Sequence, residues 1–276
     1  MNGKRLALWL VAGCVLAGAV AAPAAERLRM STTTSTDNSG LLDYILPKFE
    51  KRFNIKVDVI PVGTGKALKL AERGDVDVIL VHAPDAEKAF VNAGFGVNRR
   101  GVMVNDFLIV GPPNDPAGLK KTKSIGDALK KLKSSKAVFI SRGDDSGTNK
   151  KELKLWKHVG GQPKGSSYLE AGQGMEATLR IAHEKGAYTL TDRGTYLAVG
   201  KKLDLVPAFE GGAELENPYS VIAVNPAVHK HAKYMDAMTF IAWLTSPQGQ
   251  AAIGSFEKEG QILFHPTAVP EAIKIK

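Results

Sequence analysis

Cysteine is nearly absent from this 276-residue chain, Cys14 being the single one. It sits inside the one long apolar run. A mature chain without that run therefore needs no disulfide and has no thiol nucleophile or thiolate metal site. No second run approaches the roughly 18 apolar residues that a membrane span requires. Acidic residues are in deficit, 28 Asp and Glu against 37 Lys and Arg, for a formal charge of +9. Aromatics are sparse where the basic residues are densest. The cluster of Lys120, Lys121, Lys123, Lys130, Lys131, Lys133 and Lys136 has only Phe139 nearby, which reads as a solvated helix face and argues against nucleic acid as a partner. Catalytic signatures are missing as well. Val62-Gly63-Thr64-Gly65-Lys66 lacks the full phosphate-loop spacing, and Ser146 has no Gly-x-Ser-x-Gly elbow. His229-Lys230-His231 lacks a nearby third metal ligand, and no internal repeat is visible.

What is present begins with an export signal. Lys4 and Arg5 precede an apolar stretch from Leu6 to Ala22 that ends in Ala22-Pro23-Ala24, which predicts a signal peptide over 1–24 and a periplasmic mature chain. Val11-Ala12-Gly13-Cys14 also fits a lipobox, but the run before Cys14 is short and the residues after it stay apolar. Cleavage removes Lys4 and Arg5 and takes the formal charge to +7. The remaining length suits two lobes at ~100–200 residues each.

The mature part alternates strand-like and helix-like segments. Val76 to Val81 is nearly all apolar, as a strand covered on both faces is, and Leu42, Ile45, Leu46, Phe49 and Phe53 recur at helical spacing with Pro47 as a local bend. Repeated β-α units predict parallel sheets with helices on both faces, and in such sheets ligands bind beyond the carboxyl ends of strands. Four carboxyl-end loops are rich in Ser, Thr and Gly: 31–40, 63–66, 141–148 and 189–195. The third, Ser141-Arg142-Gly143-Asp144-Asp145-Ser146-Gly147-Thr148, reads as a strand, a tight loop and a helix N-terminus. Such a terminus offers backbone N–H groups and about half a positive charge. Arg142 adds a permanently charged fork of donors, with Asp144 or Asp145 able to hold it from behind. Together these loops predict a site that surrounds a small multi-oxygen anion with neutral donors and one arginine.

At this point the chain resembles a known family. Thr32 to Thr36 with Asn38-Ser39-Gly40, Val62 to Ala67, Val81-His82-Ala83-Pro84, Asn105-Asp106-Phe107, Ser141 to Thr148, Glu170 to Met175 and Tyr188 to Tyr196 are similar to segments of the tungstate-binding proteins of ABC uptake transporters. The resemblance implies an α/β type II periplasmic binding protein, with two lobes joined by two crossing strands and the ligand in the cleft between them. With crossings near Gly111 and Asn217, lobe one is 26–111 plus 217–276 and lobe two is 112–216. It further implies a monomer without cofactor or catalysis, which hands tungstate to an inner-membrane permease driven by a paired ATPase. Molybdate, sulfate or phosphate binding are the alternatives, with an exported hydrolase or a ligand sensor further off. The expected ligand-binding residues are Thr33, Thr34, Ser35, Thr64, Gly65 and His82 from lobe one, and Arg142, Ser146, Gly147, Thr148 and Thr191 from lobe two. Asp144 and Asp145 are expected behind Arg142, and Arg193 is a weaker candidate.

The same Arg-x-Asp-x-Ser-Gly-Thr segment resembles that of phosphate-binding relatives, matched by Arg142, Asp144, Ser146, Gly147 and Thr148. Those relatives carry an aspartate before Ala-Pro at the end of the third strand, where it accepts the proton of hydrogen phosphate. His82 stands there instead. A carboxylate only accepts, so it selects a protonated anion, whereas tungstate, molybdate and sulfate are bare dianions near neutral pH. His82 is therefore expected at or just behind the site, disfavouring phosphate.

Overall fold

The computed structural model describes residues 26–268. The signal-peptide and lipobox readings, Cys14 included, fall outside the described residues. In chain order the elements are β1 (Glu26–Thr33), α1 (Thr34–Asn38), α2 (Leu41–Phe53), β2 (Ile55–Val62), α3 (Thr64–Glu72), β3 (Val78–Val81), α4 (Pro84–Asn92) and β4 (Gly96–Gly111). There follow α5 (Ile125–Ser134), β5 (Phe139–Ser141), α6 (Gly147–His158), β6 (Tyr168–Glu170), α7 (Met175–Glu184), β7 (Thr189–Asp192), α8 (Arg193–Ala198) and β8 (Val206–Glu210). β9 (Glu216–Val224), α9 (Tyr234–Leu244), α10 (Pro247–Gly254) and three two-residue strands close the chain, the last of them β12 (His265–Pro266) after β10 (Glu257–Lys258) and β11 (Gln261–Ile262).

The sequence dictates these elements by familiar means. α2 buries Leu41, Leu42, Ile45, Leu46 and Phe49 and exposes Lys48, Lys51 and Arg52. Pro47 lies on the exposed side, where water can take up the carbonyl that its missing N–H leaves free. All four residues of β3 are buried, in keeping with its unbroken Val-Ile-Leu-Val run.

β1 is flanked by β2 and β3, both parallel to it. The next strands depart from the all-parallel expectation. β9 runs antiparallel to β3, and β4 antiparallel to β9. β4 is the pivot of the fold. Its residues Gly96 to Asp106 pair with β9, and from Phe107 onward it pairs with β7 and β8 instead. The strand thus leaves one sheet and enters the other at Asp106–Phe107, ahead of the Gly111 expected from the sequence. Its first half, rich in Gly, Arg and Asn and broken by two register shifts, carries no local strand pattern, because its pairing is made to a strand more than a hundred residues away. Beyond β7, Tyr188 bridges to β5, which pairs with β6 in parallel.

Two cores flank the sheets. Ala67, Leu68, Ile79, Val81, Phe90 and Ile222 pack under α3 and α4, and Phe107, Leu129, Trp156, Tyr188 and Leu190 pack under α5 and α6. A third core covers the opposite faces and joins α2, α9 and α10 to α7 and α8.

Candidate functional site

Four chain segments converge where the two sheets face each other. β1 ends at Thr33, whose hydroxyl accepts from Thr36 N as the cap of α1. β2 ends at Val62, and Gly63 and Thr64 open α3. β3 ends at Val81, which sets His82 next to them. From the other sheet, β5 delivers Ser141 and Arg142, and Ser146 caps α6 by accepting from Asn149 N. Between Arg142 and Ser146 the chain turns through Gly143 at φ +60° and Asp145 at φ 57°, left-handed conformations that suit a tight loop.

These segments form a small cavity that leaves about 10 Å3 for the centre of a water-sized sphere, lined by Thr33, Thr34, Ser35, Val62, Gly63, Thr64, His82, Arg142, Ser146, Gly147 and Thr148. That is about the room one water needs, against the ~300–1,000 Å3 of sites for drug-sized ligands, so the space takes nothing larger than an ion of a few atoms. The walls meet closely. A Cβ on Gly147 would lie 3.0 Å from His82 Cε1 and 3.1 Å from Thr64 Oγ1, so any side chain there would have to push His82 or Thr64 back by a few tenths of an ångström.

Donors dominate the lining. Thr64 Oγ1, Thr148 Oγ1 and Arg142 Nε are buried and have no hydrogen-bond partner within the protein. An unpaired buried polar group costs ~1–3 kcal/mol, so three around one small cavity single it out as the candidate place for a partner from outside the chain. The fourth such atom among the described residues, Asn105 Nδ2, lies away from the lining. Arg142 is 4% exposed, and its guanidinium donates to Asp144 Oδ2 at 2.5 Å. Asp144 Oδ1 in turn accepts from Ser146 N. Asp145 turns outward, where it pairs with Lys150. The two carboxylates therefore divide, Asp144 behind the arginine and Asp145 at the surface.

His82 is 4% exposed and stacks on Tyr219, ring centroids 4.7 Å apart. Its Nδ1 lies 2.8 Å from Asn217 Oδ1, and its Nε2 lies 3.1 Å from Thr33 Oγ1 and 3.5 Å from Ser35 Oγ. Burial, with the Arg142 charge in support, pushes the ring down to about 4 despite the bond to Asn217, so it is neutral near pH 7. Arg142 is then the one formal charge in the lining. No carboxylate is among the lining residues.

Not every expected residue reaches the cavity. Gly65 faces the Asp145 carboxylate, with a Cβ there 3.0 Å from Oδ2, and Thr191 is buried in β7 with its hydroxyl donating to the Asp192 carbonyl. Arg193 binds Asp106 at 2.6 and 2.8 Å and Glu210 at 2.8 Å, clasping the strands near the crossing. Sequence reading did not single out Val62 or Gly63 as lining, nor Asn217, Asn105 and Tyr219 behind His82. Asn105 stands in a segment already noted and Asn217 at a crossing, but nothing local sets them together with Tyr219, because only the pairing of β4 with β9 does so. Glu152 is a further hidden member. It accepts from Ser141 Oγ, Tyr168 Oη and Trp156 Nε1 at 2.7, 2.6 and 3.1 Å, bracing the strand that presents Arg142, and burial pushes its carboxyl up to about 7.

Residues 18–248 match the family model of the PBP superfamily domain. The chain is 49% identical over 243 residues to the tungstate-binding protein TupA of Peptoclostridium acidaminophilum, a match spanning 87% of this chain and 85% of that one. Among solved structures, that of the tungstate ABC transporter from Geobacter sulfurreducens is similar with a TM-score of 0.79 and 59% identity, over 84% of this chain and 99% of the other. The tungstate-binding protein TupA from Desulfovibrio alaskensis G20 is similar with a TM-score of 0.79 and 49% identity, over 89% of this chain and all of the other.

Proposed function

Since this chain belongs to the periplasmic binding protein superfamily, within its TupA-like tungstate-binding branch, we propose that the cavity between its two sheets is where the oxyanion is held. The protein captures tungstate and delivers it to an ABC-type permease. Its relatives are transport proteins, and no chemical step is needed. We further take the permease to be driven by a paired ATPase, the binding protein to act as a monomer, and the leader to be removed in the periplasm. The lobes are then 26–106 with 216–268, and 107–215, each carrying its own sheet.

The observation that carries the site assignment is the trio of unpartnered donors, Thr64 Oγ1 from one lobe and Thr148 Oγ1 and Arg142 Nε from the other. A tetrahedral dianion offers acceptors in every direction and satisfies all three at once. Hydrogen bonds to a charged partner contribute ~1.5–3 kcal/mol each, and burial away from water strengthens them further. Thr34, Ser35, Ser146 and the N–H groups at the start of α6 complete the shell, and Asp144 keeps the Arg142 fork pointed inward. Gly65 and Thr191 support the neighbouring backbone. Selection against hydrogen phosphate follows from the lining. A protonated anion is held best by an ionised acceptor, and no carboxylate is among the lining residues to provide one.

Competitive calorimetry with tungstate, molybdate, sulfate and phosphate tests the reading. Tungstate is expected to bind tightly, and phosphate to fail to displace it. Arg142→Ala is expected to weaken tungstate binding by about two orders of magnitude, ~2.7 kcal/mol, with the fold retained by circular dichroism. Wild-type affinity in that variant would remove Arg142 from the site.

A further inference from the structure

Behind the cavity wall a line of hydrogen bonds runs from the hinge to the anion seat. Asn105 and Asn217 face each other in register on β4 and β9, one pair before the strands part at Asp106 and Glu216. Asn217 Nδ2 donates to Asn105 Oδ1 at 2.7 Å and to Tyr219 Oη at 3.2 Å, leaving its Oδ1 to face His82 Nδ1 at 2.8 Å. Both N–H groups and the carbonyl of this amide are thereby engaged, and all four side chains are at most 4% exposed. An acceptor opposite Nδ1 requires the ring proton to sit there, since a neutral imidazole carries one proton and one lone pair. Nε2 is left as the acceptor, 3.1 Å from the Thr33 hydroxyl.

We propose that Asn217 is a positioning residue for the oxyanion: from the hinge strands it fixes the His82 proton on Nδ1, so that Nε2 takes the Thr33 hydroxyl proton and leaves that of Ser35 free for the ligand. The inference rests on the tungstate reading of the same cavity. Ser35 Oγ lies 3.2 Å from Thr33 Oγ1 and 3.5 Å from Nε2. With the Thr33 proton on the ring, Thr36 Oγ1 at 2.6 Å and Thr36 N at 3.3 Å fill the lone pairs of Thr33 Oγ1, and the Ser35 proton is left for an ion in the cavity. Arg142 is the charged group that acts on the ring, and it opposes a second proton that would reverse the Nε2 bond. Parting of β4 from β9 at the hinge would pull on the same amide that orients the seat, so hinge geometry and donor geometry are coupled through one side chain.

The test is 15N NMR of His82 in the wild-type chain, empty and tungstate-loaded, with calorimetry of Asn217→Leu. The expected ring is protonated at Nδ1 and bare at Nε2 in both states from about pH 6 to 8. Asn217→Leu is expected to lose that single tautomer and bind tungstate at least about tenfold more weakly, the low end of what loss of an outer hydrogen-bond partner costs at metal-binding histidines, while melting cooperatively. A wild-type ring protonated at Nε2, which is what turning both amides over would produce, overturns the proposal, as does wild-type affinity in Asn217→Leu. Should that variant fail to fold, the wild-type spectrum decides alone. Failure of the wild type to bind tungstate would instead sink the tungstate reading, while the tautomer would still be read in the empty protein.

Discussion

At the scale of single residues, the cost of unpaired donors is concentrated in a few atoms. Thr64 and Thr148 hold hydroxyls that the protein leaves unpaired, and valine has nearly the same shape without the hydroxyl. Thr64→Val and Thr148→Val should each weaken tungstate binding by about 1.5–3 kcal/mol, because each removes a donor to a charged ligand. In the empty protein each should be neutral or stabilising by up to ~1 kcal/mol, since a buried unsatisfied group disappears. Calorimetry paired with urea denaturation of the empty form reads both signs. A loss of stability as large as the loss of binding would mean that the hydroxyls serve the fold.

At the scale of elements, α6 and β5 act together through Glu152. Its carboxyl, held near pH 7 against an ordinary value of about 4.5, binds a proton more tightly in the folded chain than in the unfolded one. Its contribution to stability is full below about pH 4.5 and is lost as the pH rises through about 7, on the order of 3 kcal/mol in all. His82 works in the opposite sense. Its ring, depressed to about 4, contributes stability above its ordinary 6.5 that is lost as the pH falls through about 4. Comparing wild type with Glu152→Gln isolates the first effect: melting temperatures should fall from pH 5 to pH 8 more steeply in the wild type. Equal slopes would place the Glu152 carboxyl back at an ordinary value. The same two elements show what was legible beforehand. The Arg142 to Thr148 loop announces itself, because a strand, a turn of Gly and Asp and a capped helix are local patterns that composition and spacing reveal. Glu152 looks like any exposed helix acid in the sequence, since its burial depends on Tyr168 and Trp156 closing over it. Likewise β4 shows only its apolar second half, and the Asn105–Asn217 pair is invisible until two distant strands are laid side by side. The strand-helix alternation gave the layering, but the antiparallel course of β4 and β9 is a long-range fact without a local signature.

At the scale of the whole molecule, Arg193 ties α8 to Asp106 on β4 and to Glu210 at the end of β8, beside the crossing. Arg193→Met leaves two carboxylates without their cation in a half-buried setting and should destabilise the fold by about 1–3 kcal/mol, less than a fully buried pair would cost. Urea denaturation measures this directly, and an unchanged midpoint would show that solvent screens the cluster. The cavity itself is narrow, and His82 and Gly147 also border a wider cleft beside it. With Gly147 seated against His82 and Thr64 and almost no free room between the walls, an ion held by donors from both sheets leaves most readily when the lobes part. The lifetime of the loaded complex is therefore a clock set by how often the lobes swing apart, and two ions of different affinity would leave at similar rates whenever that swing is the slow step.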